Sequence, residues 1–375
     1  MPFAQVVIGP PGAGKSTYCN GMQQFLGAIG RKASIINLDP ANDPISANYT
    51  PALDIRDLIS LDGIMRDEEI GLGPNGGVLY ALEELEADMD TMDNMDNSDK
   101  DKGDGTNGGE SWFAEGLKKL GDDYLLIDCP GQVEIFTHHA SLRRVLSRLE
   151  GMGYRLVVVN LIDSYALTLP SLYISTLLLS LRMMLQLDLT HVNVLTKIDN
   201  LNKYPPLAFN LDFYTEVQDL EFLLPYLRDE SPLFRTGKFT ALNEAIVRLV
   251  EEFGLVGFET LAVEDKKSMM QLLRTIDRAG GYAFGGAEGA NDSVWQVAVR
   301  EGMPAMDVRD VQEHWIDRRD EFDEMERKDW EEEQKRREKE WEEGRMVEGD
   351  QEMGDVDLPP VRDGGVKVVR SGKKL

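Results

Sequence analysis

Short apolar runs recur through the first 261 positions, each closing on a polar or Gly-rich turn. Residues 4–8, 33–38, 124–127, 155–161, 191–195 and 257–261 form such runs. Runs of this length predict strands buried on both faces. Between them the apolar positions move to helical spacing. Residues 17–26 place Met22, Phe25 and Leu26 on one face, and 54–65, 78–82, 242–250 and 268–279 read the same way. Residues 209–235 carry Leu220, Leu223, Leu224 and Leu227 at core spacing. Strands alternating with helices predict an α/β fold, a mainly parallel sheet flanked by helices. The segment 170–187 is apolar on more than one face, which predicts either a central helix or one paired with another chain. Ser175, Thr176, Ser180, Arg182 and Gln186 interrupt the apolar run 167–189, so it is not expected to span a membrane.

Two regions break the alternation. Residues 88–111 are dominated by Asp and Asn with Gly103, Gly105, Gly108 and Gly109, and predict an acidic, solvated, disordered insert. They lack the ordered Asp-x-Asp-x-Asp-Gly…Glu spacing of a calcium loop. After position 284, glycines at 285, 286 and 289 suggest a linker over 285–307. Residues 308–345 are dense in charge with interspersed Trp, and predict a charged helix held by i,i+4 pairs. Residues 346–375 are expected to be a disordered tail. The domain expected is therefore 1–284.

The 375 residues are 42% hydrophobic, enough for a large core. The formal net charge of -27 argues against a nucleic-acid-binding surface but not against a nucleotide site, whose positive charge is local. Cys19 and Cys129 are too few for a disulfide framework or a Cys-rich zinc site, and read as reduced buried thiols of a cytoplasmic or nuclear protein. The first residues enter a strand without a basic stretch, so no signal peptide is expected.

The chemistry lies where the apolar runs end. Gly9-Pro10-Pro11-Gly12-Ala13-Gly14-Lys15-Ser16 fits G-x-x-x-x-G-K-[ST] between a strand and a helix. Backbone N–H groups of Gly12, Ala13, Gly14 and the helix start through Thr17 would cradle phosphates. Lys15 would reach the β- and γ-phosphates, and the Ser16 hydroxyl would ligate Mg²⁺. Asp39 ends the second run. It reads either as a magnesium-shell carboxylate or as a turn cap. Asp128-Cys129-Pro130-Gly131-Gln132 ends the next: Asp128 for the magnesium shell, Gly131 for close approach to the γ-phosphate, Gln132 to orient water. Thr196-Lys197-Ile198-Asp199 follows the run 191–195. Asp199 would accept from guanine N1–H and the N2 amino group, where adenine offers a lone pair and no amine. Lys197 would lay its stem on the base, and backbone near Ala262 would edge it. Leu72-Gly73-Pro74-Asn75-Gly76-Gly77 reads as a tight turn with an exposed amide.

With that last turn between the Asp39 and Asp128 motifs, the chain resembles the GPN-loop GTPases, most of all eukaryotic members, over residues 1–284 without the insert. The resemblance implies a P-loop fold, hydrolysis of GTP to GDP, and a homodimer or a heterodimer with other GPN-loop GTPases. It implies that Gly73-Pro74-Asn75 reaches the partner's phosphates, which puts Asn75 beside Lys15, Asp39 and Gln132 as catalytic. It also implies a role in assembly or nuclear import of RNA polymerase II, in the cytoplasm with shuttling to the nucleus. Thr196 stands where most small GTPases carry an Asn that braces the P-loop. Two rival readings remain at this point. One is a P-loop kinase, and the other a GTP-dependent scaffold with negligible turnover.

Overall fold

The computed structural model describes residues 2–43, 48–67, 71–96 (side chains to 90), 111–230, 235–282 and 308–318, with helical residues at 321–322, 324–325 and 327–328. Met1–Arg319 is one compact unit, and Asp320–Leu375 is a second. The linker at 285–307, the middle of the insert, most of the charged segment 308–345 and the whole tail at 346–375 lie outside the described residues.

Seven parallel strands stand in the order β3-β2-β4-β1-β5-β6-β7. They are β1 Phe3–Ile8, β2 Ala33–Asn37, β3 Leu53–Asp54, β4 Tyr124–Asp128, β5 Arg155–Asp163, β6 Thr190–Thr196 and β7 Phe258–Leu261. β1 is buried at every position, as an inner parallel strand covered on both faces must be. Register brings the site together: Val7 and Asn37 both pair with Asp128, and Asn37 also pairs with Asp54. The polar residues after each apolar run therefore end in one layer, at the strands' C-terminal ends. β3 was not expected, because two residues carry no periodicity.

Helices cover both faces. Lys15–Ala28 and Lys266–Gly280 bury Tyr18, Met22, Leu26, Leu272 and Ile276 against one side of the central strands. Pro74–Asp96, Trp112–Leu120 and Ser141–Gly151 bury Leu82, Leu85, Phe113, Val145 and Leu149 with β1 and β4. Pro170–Leu187 is half core, half surface. Tyr173, Leu177 and Leu181 are buried while Leu172, Leu178 and Leu185 are exposed.

Three expectations about helices and turns are corrected. Pro74-Asn75-Gly76-Gly77 is not a tight turn: the helix starts at Pro74, whose fixed φ suits a first helical position. A Cβ on Gly77 would sit 2.5 Å from Leu61 Cδ1, so this glycine serves helix packing. Residues 54–65 are not one helix but Ile55–Leu58 and Leu61–Arg66, parted by extended Ile59 and Ser60. Residues 209–235 divide into Leu211–Glu216 and Leu223–Glu230, because Val217 and Asp219 take left-handed φ of 54 and 56.

The insert is corrected at both edges. Asp88 accepts from Ser111 Oγ at 2.7 Å and from the N–H groups of Trp112 and Phe113 at 3.1 Å each. Met89 is buried, and Asp90 pairs with Arg148. These residues belong to a packed helix, and Asp88 caps the next one. The charged segment from 308 is also corrected. Val308–Gln312 continues as a wider π turn over Glu313–Asp317, with Val311 buried among Leu211, Tyr214 and their neighbours. Gln312 Oε1 accepts from the Leu211 N–H at 2.9 Å, so the start of this segment is part of the core unit, not a solvated helix.

Candidate nucleotide site

The loop from Gly9 to Ser16 takes a shape that side chains would resist. Gly9 has φ +144, and a Cβ there would lie 2.2 Å from Leu161 O; Gly12 and Gly14 have φ +80 and +92. Gly14 ends the loop and begins the Lys15–Ala28 helix, and no side chain caps it. The first N–H groups of that helix are thus available to an anion. Ala13 is buried, and Thr17 is exposed on the first turn.

Lys15 is 8% exposed, and its ammonium donates to Gly9 O at 3.1 Å and Pro10 O at 3.4 Å. Main-chain carbonyls thus hold the charge over the loop it must serve. Ser16 Oγ donates to Asp128 Oδ2 at 2.7 Å. The same oxygen accepts from Tyr49 Oη at 2.7 Å and faces Asn42 Nδ2 at 3.4 Å. Asp128 Oδ1 is buried with no partner. Burial raises the Asp128 pKa, against the lowering by the Ser16 and Tyr49 hydroxyls and Lys15. Burial also raises Asp39, whose Oδ1 accepts from the Ala41 N–H at 2.9 Å. The cap reading of Asp39 therefore holds, and the two carboxylates also act on each other as like charges.

This donor set fits magnesium. It offers a serine hydroxyl, an orphaned buried carboxylate oxygen and a second carboxylate near by, all hard oxygens. Among the described residues no group of three His, Cys, Asp or Glu forms a cage. Such an ion would take the rest of its shell from water and phosphate.

Gly131 closes over the loop: a Cβ there would meet Lys15 Nζ at 2.9 Å and Pro11 Cα at 3.2 Å. Next to it, Gln132 Nε2 donates to Asn75 Oδ1 at 3.2 Å, on the exposed side. The tip of the Gly73-Pro74-Asn75 segment thus meets Gln132 of its own chain.

The base end is tied to the phosphate end. Thr196 Oγ1 lies 2.8 Å from Ala13 O and 3.1 Å from Ile162 O. It braces the P-loop as the replaced Asn would. Lys197, at φ +59, sends its ammonium to Gly12 O at 2.6 Å and Asp163 Oδ2 at 2.7 Å. Asp199 follows, half-buried, in the 3-10 turn Ile198–Lys203. Ala262 does not offer its N–H to a base here. It is buried, and donates instead to Ser268 Oγ at 3.1 Å.

Three site residues were not anticipated. Asn42 sits three residues after Asp39, and Asp163 at a strand end, where a polar residue after an apolar run was signal enough. Tyr49 has no local signal. Cys19 and Cys129 are buried free thiols whose pKa values burial raises, so they take no part.

A P-loop at the first strand, a Ser–carboxylate pair across the sheet and a Thr-Lys clasp on the same loop define a P-loop nucleoside triphosphatase. The family described as a conserved hypothetical ATP binding protein matches residues 7–282. GPN-loop GTPase 2 of Saccharomyces cerevisiae is 47% identical over 330 residues, covering 87% of this chain and 88% of that protein. GPN-loop GTPase 2 of Schizosaccharomyces pombe is 48% identical over 337 residues, 89% and 97% of the two chains. GPN-loop GTPase QQT1 of Arabidopsis thaliana is 44% identical over 301 residues, 80% and 92%. A GTPase from Pyrococcus abyssi, solved in the apo form, shares the fold with a TM-score of 0.52 at 20% identity, covering 76% of this chain and 98% of that one. The chain belongs to the GPN-loop GTPase family, and it is a GTPase. Among the described residues no helix is long and apolar enough to cross a membrane.

Proposed function

We propose that this GTPase is a magnesium-dependent, dimeric nucleotide switch that aids assembly or nuclear import of RNA polymerase II, working in the cytoplasm and shuttling to the nucleus. The observation that carries the site reading is the clasp of Thr196 and Lys197 on Ala13 and Gly12, which joins the base end to the phosphate end. In this reading Asp199 selects guanine by accepting two N–H groups, and the stem of Lys197 supports the base. The loop N–H groups and Lys15 hold the β- and γ-phosphates. Ser16 and Asp128, with Asp39 near by, would hold magnesium, which when bound would offset negative charge on the phosphate oxygens. Gln132 accepts from and orients the attacking water, and the Gly131 N–H approaches the γ-phosphate. Asn75 of a second subunit donates to the same phosphate, so the reaction proceeds by positioning and charge stabilisation. The exposed leucines of Pro170–Leu187 and the family resemblance favour a dimer. The RNA polymerase II role and the partners rest on the resemblance.

The test of the site is turnover of GTP against ATP by purified protein, with magnesium and with a chelator. GTP turnover that stops on chelation, with ATP left intact, is the expected result. Equal use of ATP would return the kinase reading, and tight GTP binding without single-turnover hydrolysis would return the scaffold. The cellular role is tested by depletion. RNA polymerase II subunits should accumulate in the cytoplasm, and unchanged nuclear levels would remove that role.

A further inference from the structure

Tyr49 stands between the Asp39 turn and β3. Its ring packs on the cluster that contains Tyr18, Cys19 and Met22. Its hydroxyl donates to Asp128 Oδ2 at 2.7 Å. The direction of that bond is fixed by a second contact: Asn42 Nδ2, which can only donate, lies 3.1 Å from the same phenol oxygen. With the oxygen accepting from Asn42, the phenol proton points to Asp128. Asn42 is held in turn. Arg56 Nη1 donates to its carbonyl at 2.8 Å, Arg56 Nε donates to Asp54 Oδ1 at 2.9 Å, and Asp54 accepts from Asn37 at 3.0 Å. A chain of polar contacts thus runs from the end of β2 through β3 to the phenol.

The effect falls on one carboxylate oxygen. Ser16 and Tyr49 both donate to Oδ2 at 2.7 Å, while Oδ1 is buried with no partner. Two charge-assisted bonds on one oxygen fix the carboxylate's rotation and leave the other oxygen committed as an acceptor. Ser16 cannot do this alone, since its side chain turns about one bond and is itself to face the metal.

We propose that Tyr49 is a positioning residue for the magnesium site: it pins Oδ2 of Asp128 so that Oδ1 stays aimed at a donor of the metal's hydration shell. This rests on the magnesium reading given above. It predicts that the phenol matters to nucleotide retention only when magnesium is present.

The experiment measures release of a fluorescent GDP from the full chain as free magnesium is titrated from chelator conditions upward. Tyr49→Phe keeps the ring and removes only the hydroxyl. The expected result is an unchanged release rate in chelator, with the half-effective magnesium concentration raised about tenfold, the scale of one hydrogen bond to a charged group. Asn42→Ala, which frees the phenol to rotate, should shift the same midpoint by a smaller factor, about threefold. Faster release by Tyr49→Phe in chelator, by the same factor as in magnesium, would make Tyr49 a packing residue and overturn the proposal. A midpoint within twofold of the parent's would overturn it as well. A lower midpoint would mean that the phenol competes with the ion, and would overturn the proposal too. If the parent protein shows no magnesium dependence at all, the magnesium reading itself falls, a result distinct from a shiftless Tyr49→Phe.

Discussion

Lys15 and Asp128 are 8% and 1% exposed, and each is fixed by two or more partners within 3.4 Å. Asn75 and Gln132, the groups expected to act on the γ-phosphate and the water, meet through one exposed hydrogen bond of 3.2 Å. The first pair handles charge that is present throughout binding, so rigidity costs nothing at the moment of reaction. Under the proposed function, the second pair would change partners when a substrate or a second subunit arrives. A single solvent-exposed bond, worth on the order of 1 kcal/mol or less, permits that. In the function proposed above, this difference means that phosphate binding is built into one chain, while a second subunit would complete the hydrolytic arrangement.

The hardest test of this division is a mixing experiment. Lys15→Ala breaks the buried half, and Asn75→Ala breaks the exposed half. Each alone should lower turnover on the order of 10²–10³-fold, the usual loss for one donor to a developing oxyanion. Lys15→Ala should also weaken GTP binding, and Asn75→Ala should leave it nearly unchanged. Subunit exchange between the two variants should restore part of the activity, because one site then has an intact loop facing an intact Asn75. Heterodimers seen by mass that stay as inactive as the parents would place Asn75's action within its own chain.

At the base end the same division predicts a specificity change rather than a loss of chemistry. Asp199→Asn should weaken GTP binding about 10²-fold, since a donor then meets the guanine N2 amino group. Xanthosine triphosphate, with an acceptor oxygen at C2, should bind better than GTP. Unchanged GTP affinity, measured by titration, would remove Asp199 from the base pocket.

Between the two ends lies the Thr196 brace, which is buried and so belongs with the rigid half. Thr196→Val keeps the shape and removes the hydroxyl that reaches Ala13 O. Nucleotide affinity should fall about tenfold, the cost of leaving one buried carbonyl short of a donor. The melting temperature should fall by a few degrees. An unchanged affinity would mean that the loop needs no brace, and the Asn common in this place elsewhere would have another purpose.

What the sequence made legible follows the same physical line. The P-loop, Asp128-Cys129-Pro130-Gly131-Gln132 and Thr196-Lys197-Ile198-Asp199 each follow a buried strand, so local pattern and function coincide. Thr196 was legible as a departure, but its brace was not, because the partner Ala13 is 183 positions away. Tyr49 and β3 were hidden for the same reason: they are defined by register against β2 and by Asp128, not by their own neighbours. The kink at Val217 is set by left-handed backbone in a β-branched residue, against its local preference.

The acidic insert gives the last and smallest expected effect. Composition alone marks 88–111 as one solvated stretch, since Asp and Asn dominate it. Position divides it. Asp88 receives Ser111 and two backbone N–H groups, and Met89 is 2% exposed. Deleting 88–111 therefore removes a helix cap and a core side chain. Loss of the cap by Asp88→Ala should alone cost about 1–2 kcal/mol. At about 2–4 °C per kcal/mol for a domain of this size, that lowers the melting temperature by several degrees. Deleting only 97–110 touches neither feature. The helix carries the chain from Asp88 to Asp96, about 12 Å at 1.5 Å per residue. The return to Ser111 then needs about four extended residues, so a Gly/Ser link of about six suffices. This shorter deletion should leave the melting temperature within about one degree and GTP turnover unchanged, because 97–110 holds hardly any apolar area to bury. Differential scanning calorimetry of the two deletions side by side checks it. Equal losses in both would show that the segment packs as a whole, and composition would then have misread all of it rather than only its edges.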